Sequence, residues 1–220
     1  MIKVRVWDLP TRMFHWLLVL TVIGLVITGN VGGSWMSWHF RLGYAAFTLL
    51  VFRVLWGVLG GHWSRFRNFV PTPGQLLRYL RGETRHSVGH NPLGALSVLT
   101  LLLVLTAQVT SGLLSDDEIA FSGPLTALAS ADMVTMATWY HTEVGKLVML
   151  ALVAIHIGAI AFYKVFKKQN LSRDMLTGVQ EAPLPPPQES QDNLATRLLA
   201  TFLICLSSAV VYVVVHLGGG

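Results

Sequence analysis

Eight histidines stand in a chain of 220 residues that is only 12% charged. Four of them, His15, His39, His141 and His156, fall inside or at the ends of long apolar stretches. An ionisable side chain is expensive there and usually faces the interior of a helix bundle, where it marks function. His141 and His156 are fifteen residues apart. On a regular helix that is ~22 Å of rise with only ~60° of angular offset, so both imidazoles point toward one face at opposite depths. Consecutive membrane helices alternate in direction, which gives each a level-matched partner: His15 with His156 near one surface, and His39 with His141 near the other. Two imidazoles facing each other across a bundle suit the axial ligation of a haem iron. Zinc would need three or four clustered ligands, and no third ligand is evident at either level.

The rest of the sequence must supply helices that hold these pairs. Apolar residues make up 53% of the chain, and the mean hydropathy is +0.56. A soluble domain carries about 25% charged residues, roughly twice the share here, which excludes a disordered chain and argues for a membrane protein. Five stretches are long enough to cross a bilayer: Met13–Thr28, His39–Leu59, Pro92–Leu114, Thr138–Tyr163 and Arg197–Leu217. Gly29–Asn30 ends the first, and Pro92 suits the first turn of the third. No stretch alternates with period two, so none reads as a transmembrane strand. The first span carries His15–Trp16 and lacks a small-residue cleavage site, so it reads as a retained helix rather than a signal peptide. The single cysteine, Cys205, excludes an internal disulfide, a cysteine-ligated cluster and a C-x-x-C-H attachment. Any haem is therefore non-covalent, of type b.

Thirteen of the 16 Lys and Arg fall on one side of these spans. They lie in the N-terminal tail, in the loop Arg65–Arg85, and between Lys164 and Arg197. The opposite side carries Asp116, Asp117, Glu118 and Asp132, with no Lys or Arg between Leu114 and Thr138. The basic side reads as cytoplasmic, which puts the N-terminus inside, the C-terminus in the periplasm and the chain in a bacterial inner membrane. The net charge of +5 is thus a topology signal and implies no nucleic-acid partner. Thr72–Arg81 reads as a short amphipathic helix on the cytoplasmic surface. Pro183, Pro185, Pro186 and Pro187 mark a semi-extended linker. The expected organisation is a four-helix unit over 1–178, a proline-rich linker over 179–194 and a separate C-terminal transmembrane helix over 195–220.

Other residues bear on the same sites. Gly43 follows His39 by four residues, and Gly145 follows His141 by four, so a flat macrocycle could lie against either helix. Arg53 sits near the cytoplasmic end of the second span, where it could pair bidentately with a haem propionate or simply reach the interface. Arg12, Arg41 and Lys146 are weaker candidates of the same kind. His86 and His90 read as loop residues rather than a ligand pair, His62 as interfacial and His216 as solvated. Trp7, Trp35, Trp38, Trp63 and Trp139, near span ends, read as an aromatic belt.

The run Val6–Leu17 (VWDLPTRMFHWL), the H-x-x-x-G beginning at His39, Arg53, and WYHTEVGK with the later His156 resemble the prokaryotic cytochrome b561 family, which includes the b-type subunits of nickel–iron hydrogenases and formate dehydrogenases. The likeness covers about residues 4–178 and leaves the fifth span outside. It implies an all-α integral membrane protein: a four-transmembrane-helix dihaem bundle plus one additional C-terminal transmembrane helix. It implies two haem b groups with bis-histidine iron, His15 and His156 holding one and His39 and His141 the other. It further implies electron transfer between the quinone pool and a periplasmic c-type cytochrome or redox enzyme subunit. Some members of the family are superoxide:quinone oxidoreductases, which is a second reading. A haem-free membrane anchor or transporter is a third. The His141–His156 spacing of fifteen, against fourteen in some members, implies a small difference in helix tilt.

Overall fold

The computed structural model describes residues 2–83, 88–182 and 188–218. In chain order the elements are strand β1 (Ile2–Arg5), helices α1 (Leu9–Val31), α2 (Met36–Leu59), α3 (Phe66–Phe69), α4 (Pro73–Leu80), α5 (Pro92–Leu113), α6 (Ala131–Trp139) and α7 (Lys146–Phe166), then α8 (Leu171–Thr177), strand β2 (Val179–Ala182) and α9 (Leu194–His216). A π turn over Tyr140–Gly145 joins α6 to α7, making one helix of 36 residues from Ala131 to Phe166. Five helices are long and apolar enough to cross a membrane, so the chain is a multi-pass membrane protein.

Helix starts follow the capping chemistry of the sequence. The Asp8 carboxylate accepts from Thr11 N at 2.8 Å and caps α1, and Asn91 Oδ1 accepts from Gly94 N at 2.8 Å ahead of Pro92. Thr72 and Gln75 form a reciprocal capping box on the amphipathic α4. Ser130 caps α6, so the fourth span begins seven residues before the apolar run at Thr138 that hydropathy picks out.

The chain resolves into two compact units, each drawing on several helices. The first comprises residues 1–15, 53–100 and 154–203, and the second 16–52, 101–153 and 204–220. In the first, β1 and β2 pair antiparallel with Ile2 opposite Ala182 and Arg5 opposite Val179. Val4, Val6, Trp7 and Ala182 form its buried core, against which Trp63, Val88 and Met175 pack. Trp7 is therefore a core residue rather than part of an aromatic belt; Trp35, Trp38 and Trp139 are exposed, as the belt reading requires.

The prolines at 183–187 lie outside the described residues, but the chain is tied down on either side of them. Before them β2 is paired. After them Ser190 N donates to Arg5 O at 2.9 Å, and Ser190 Oγ donates to Val6 O. Trp63 Nε1 donates to Gln188 O. The Asp192 carboxylate, 3% exposed, contacts Arg5 and Arg197 at 3.1 Å and Arg12 at 3.8 Å. The second unit is held by Leu50, Leu105 and Met149, packed among aliphatic side chains that include Leu18, Val22 and Val153.

Candidate functional site

His39 lies in the first turn of α2 and His141 in the π turn, both within the second unit. Their ring centres are 6.1 Å apart and their planes 86° apart. His39 Nδ1 lies 3.1 Å from Leu25 O, and His141 Nδ1 lies 2.9 Å from Gln108 O. A carbonyl only accepts, so in each ring Nδ1 carries the proton and donates, and Nε2 keeps the lone pair that a metal needs.

Neither carbonyl would be reachable in an ordinary helix, because the side chain four residues on covers it. Here that residue is glycine both times. A Cβ on Gly29 would stand 3.0 Å from His39 Cε1, and one on Gly112 would stand 2.8 Å from His141 Cε1. A hydroxyl one residue earlier completes each cradle: Thr28 Oγ1 at 3.2 Å from His39 Nδ1, and Ser111 Oγ at 3.3 Å from His141 Nδ1. The same device is thus built twice, from Leu25, Thr28 and Gly29 on α1 and from Gln108, Ser111 and Gly112 on α5. The sequence carries it visibly as Thr-Gly and Ser-Gly near the C-terminal ends of two spans, a signal distinct from the ligands themselves.

The pair opens into a cleft lined by Met36, Gly43, Tyr44, Leu105 and Lys146, with Asp116 and Asp117 also on its wall. A Cβ on Gly43 would meet nothing within 4 Å, which leaves room for a flat group against α2. Gly145 differs: its missing side chain makes room for Gln108 and Tyr140. Asp117, in the acidic loop, accepts from the amides of Ile119, Ala120 and Phe121, which hold its carboxyl below the usual range. Arg41 lies over Trp38 at 5.0 Å.

The first unit holds His15 on α1 and His156 on α7. Arg53, 4% exposed, donates from Nη1 to Ser64 O at 3.1 Å, and its guanidinium lies over Phe66 at 4.8 Å and Phe69 at 5.7 Å. The charge of Asp8 attracts it. Asp8 is fully buried and accepts from Thr11 Oγ1 at 2.6 Å and Ser64 Oγ at 3.4 Å, while Trp56 Nε1 donates to Thr11 Oγ1 at 3.1 Å. Burial raises the Asp8 carboxyl above the usual range, and the bonds from Thr11, Trp56 and Ser64 partly offset this. Arg12, the other basic candidate here, donates to Leu176 O at 2.7 Å.

His90, which the sequence reads as a loop residue, lies in the same unit. It is wedged between Trp7, 4.6 Å between ring centres, and Phe69, at 4.8 Å. Its Nδ1 is buried without a hydrogen-bond partner among the described residues. Burial lowers its pKa to about 4, with the charges of Arg53 and His156 adding to the effect. His86 lies outside the described residues. His62 packs on Trp63 and His216 on Tyr212, away from both pairs.

Two imidazoles bound to one iron from opposite sides, with metal–nitrogen bonds of ~2 Å, have ring centres about 6 Å apart, which the His39–His141 pair matches. Among the described residues no cluster of three or more His, Cys, Asp or Glu could hold a metal ion by itself. The donor set therefore fits a haem, whose porphyrin supplies the remaining ligands, and does not fit a bare zinc or iron site. Five apolar helices presenting such a pair define a membrane protein of the b-cytochrome class. The profile of the prokaryotic cytochrome b561 family matches residues 6–178, and the chain belongs to that family.

Similar proteins include one from Bradyrhizobium diazoefficiens, 26% identical, with 81% of this chain and 86% of the relative covered. One from Azotobacter chroococcum is 23% identical over 80% and 87%, and one from Cupriavidus necator 25% over 79% and 85%. Each of the three bears the name "Probable Ni/Fe-hydrogenase B-type cytochrome subunit". No solved structure gives a significant match.

Proposed function

We propose that this protein is a dihaem b-type cytochrome that carries electrons across the bacterial inner membrane. It would do so between the quinone pool and a redox enzyme whose electron-bearing surface faces the periplasm. His39 and His141 hold one haem through Nε2, and His15 and His156 hold the other. Bound haem supplies a one-electron carrier at each site; the protein supplies the ligands, their orientation and a dry surround. The basic N-terminal tail and loops put the N-terminus in the cytoplasm. The names of the relatives point to a nickel–iron hydrogenase as the partner, with a periplasmic c-type cytochrome as the alternative. The first four spans form the electron-carrying unit, and the fifth, beyond the family match, is an addition to it.

The observation that carries this reading is the His39–His141 geometry, a ring spacing of 6.1 Å with both Nδ1 atoms directed at carbonyls. The test is a reduced-minus-oxidised visible spectrum with a haem count on the purified chain. Two b haems per chain are expected, and none after expression with ample haem would overturn the reading. A superoxide-oxidising role calls for a positive funnel at the cleft. Lys146 shares that wall with Asp116 and Asp117, so the charge there does not favour an incoming anion.

A further inference from the structure

We propose that Gln108 is a positioning residue that sets the orientation of His141 by clamping the π turn; this rests on His141 being a haem ligand. The helix from Ala131 to Phe166 is α-helical except over Tyr140–Gly145. One residue inserted by a π turn rotates the remainder of the helix by about 100° relative to a regular one, and such turns concentrate at functional sites. The shifted ladder leaves a carbonyl in the turn without its amide partner, which in a membrane interior must be met by a side chain. Gln108 Nε2 donates to His141 O at 2.9 Å, and Gln108 O accepts from His141 Nδ1 at 2.9 Å. A single residue therefore grips both the backbone and the ring of His141.

Two further observations point the same way. Gly145, the last residue of the turn, lies against Gln108 Oε1, so any side chain there would push the amide off His141. Gln108 Oε1 itself is buried and accepts no hydrogen bond among the described residues. A half-satisfied amide is a costly thing to keep in an apolar helix, and its donor is committed to His141. His39 serves as the internal control. It has the matching cradle of carbonyl, hydroxyl and glycine but sits in a regular helix, and leucine occupies the position equivalent to Gln108.

The test uses the full-length, haem-loaded protein and three variants, read by haem content, redox titration and low-temperature electron paramagnetic resonance. Gln108→Met keeps the volume, removes the donor and removes the unsatisfied oxygen. Gly145→Ala keeps the amide but displaces it. Both are expected to change the reduction equilibrium of the His39–His141 haem at least tenfold, ~59 mV for a one-electron couple. Both should also move its axial-ligand resonance and leave the signals of the other haem in place. His141→Ala is expected to remove one haem. If it does so while Gln108→Met and Gly145→Ala leave that haem's potential and resonance at wild-type values, the clamp is overturned and the ligand assignment stands. If His141→Ala retains both haems, the ligand assignment itself falls. Equal shifts of both haems, or failure of Gln108→Met to assemble while Gly145→Ala behaves as wild type, would make Gln108 a general packing residue and overturn the proposal.

Discussion

The His39–His141 pair and the His15–His156 pair use the same residue type in different surroundings. Around His39 and His141 the neighbours are backbone carbonyls, hydroxyls and glycines, and among the described residues no ion pair involves either ring. The unit that holds His15 and His156 also contains a buried arginine, a buried aspartate, a third histidine and several aromatic rings. The first surround fixes ring orientation and little else. The second also sets a local field, because charges removed from water act over longer distances. On the proposed dihaem reading, the two carriers have identical ligands in unlike surroundings and hold electrons at different potentials.

The sharpest break in this comparison comes from the ligands themselves. His141→Ala and His156→Ala should each halve the haem content and spare the other site, which difference spectra and haem extraction would read. Next in size is Arg53→Met. It strips a buried cation from Asp8 and the phenyl rings, and should lower stability by about 3 kcal/mol in thermal unfolding.

A pH test rests on His90 and should separate the two sites further. Its native pKa of about 4 lies below the ordinary value of 6.5, so the unfolded chain binds the proton more readily between those values. Stability should be nearly full above pH 6.5 and should fall as pH drops toward 4, by about 3 kcal/mol. His90→Phe should flatten that slope in melts collected across the interval. The smallest effects belong to the cradles. Thr28→Val and Ser111→Ala each remove one hydroxyl contact to an imidazole and should weaken haem retention at that site by about 1 kcal/mol, measured by transfer of haem to an acceptor protein. Equal losses at the His15–His156 haem would dissolve the distinction between the two surrounds.

Local pattern carries some of these features and not others. The five spans are readable in the sequence because length and hydropathy are local properties, and the largest displacement of an end is where Ser130 caps the helix ahead of its apolar run. The four histidines stand out because ionisable groups are rare in such stretches. Phase arithmetic between His141 and His156 assumes 100° per residue throughout, and the π turn over Tyr140–Gly145 breaks that assumption. Spacing alone does not reveal that Gly145 lies against Gln108 and Tyr140. The cradles, the burial of Trp7 and the place of His90 depend on residues distant in sequence, and no window along the chain brings them together.

The pairing of β1 with β2 carries a consequence for biogenesis. Ile2–Arg5 is made before the first four spans, yet its hydrogen-bonding partner, ending at Ala182, is made after them. At translation rates of ~5–20 residues per second, that edge waits roughly 10–35 s for its complement. In the meantime four hydrophobic segments must enter the bilayer. Closure of the two strands then reports that the first four crossings have been completed with both ends on the same side. A nascent chain with a skipped or inverted crossing leaves the β1 edge unpaired.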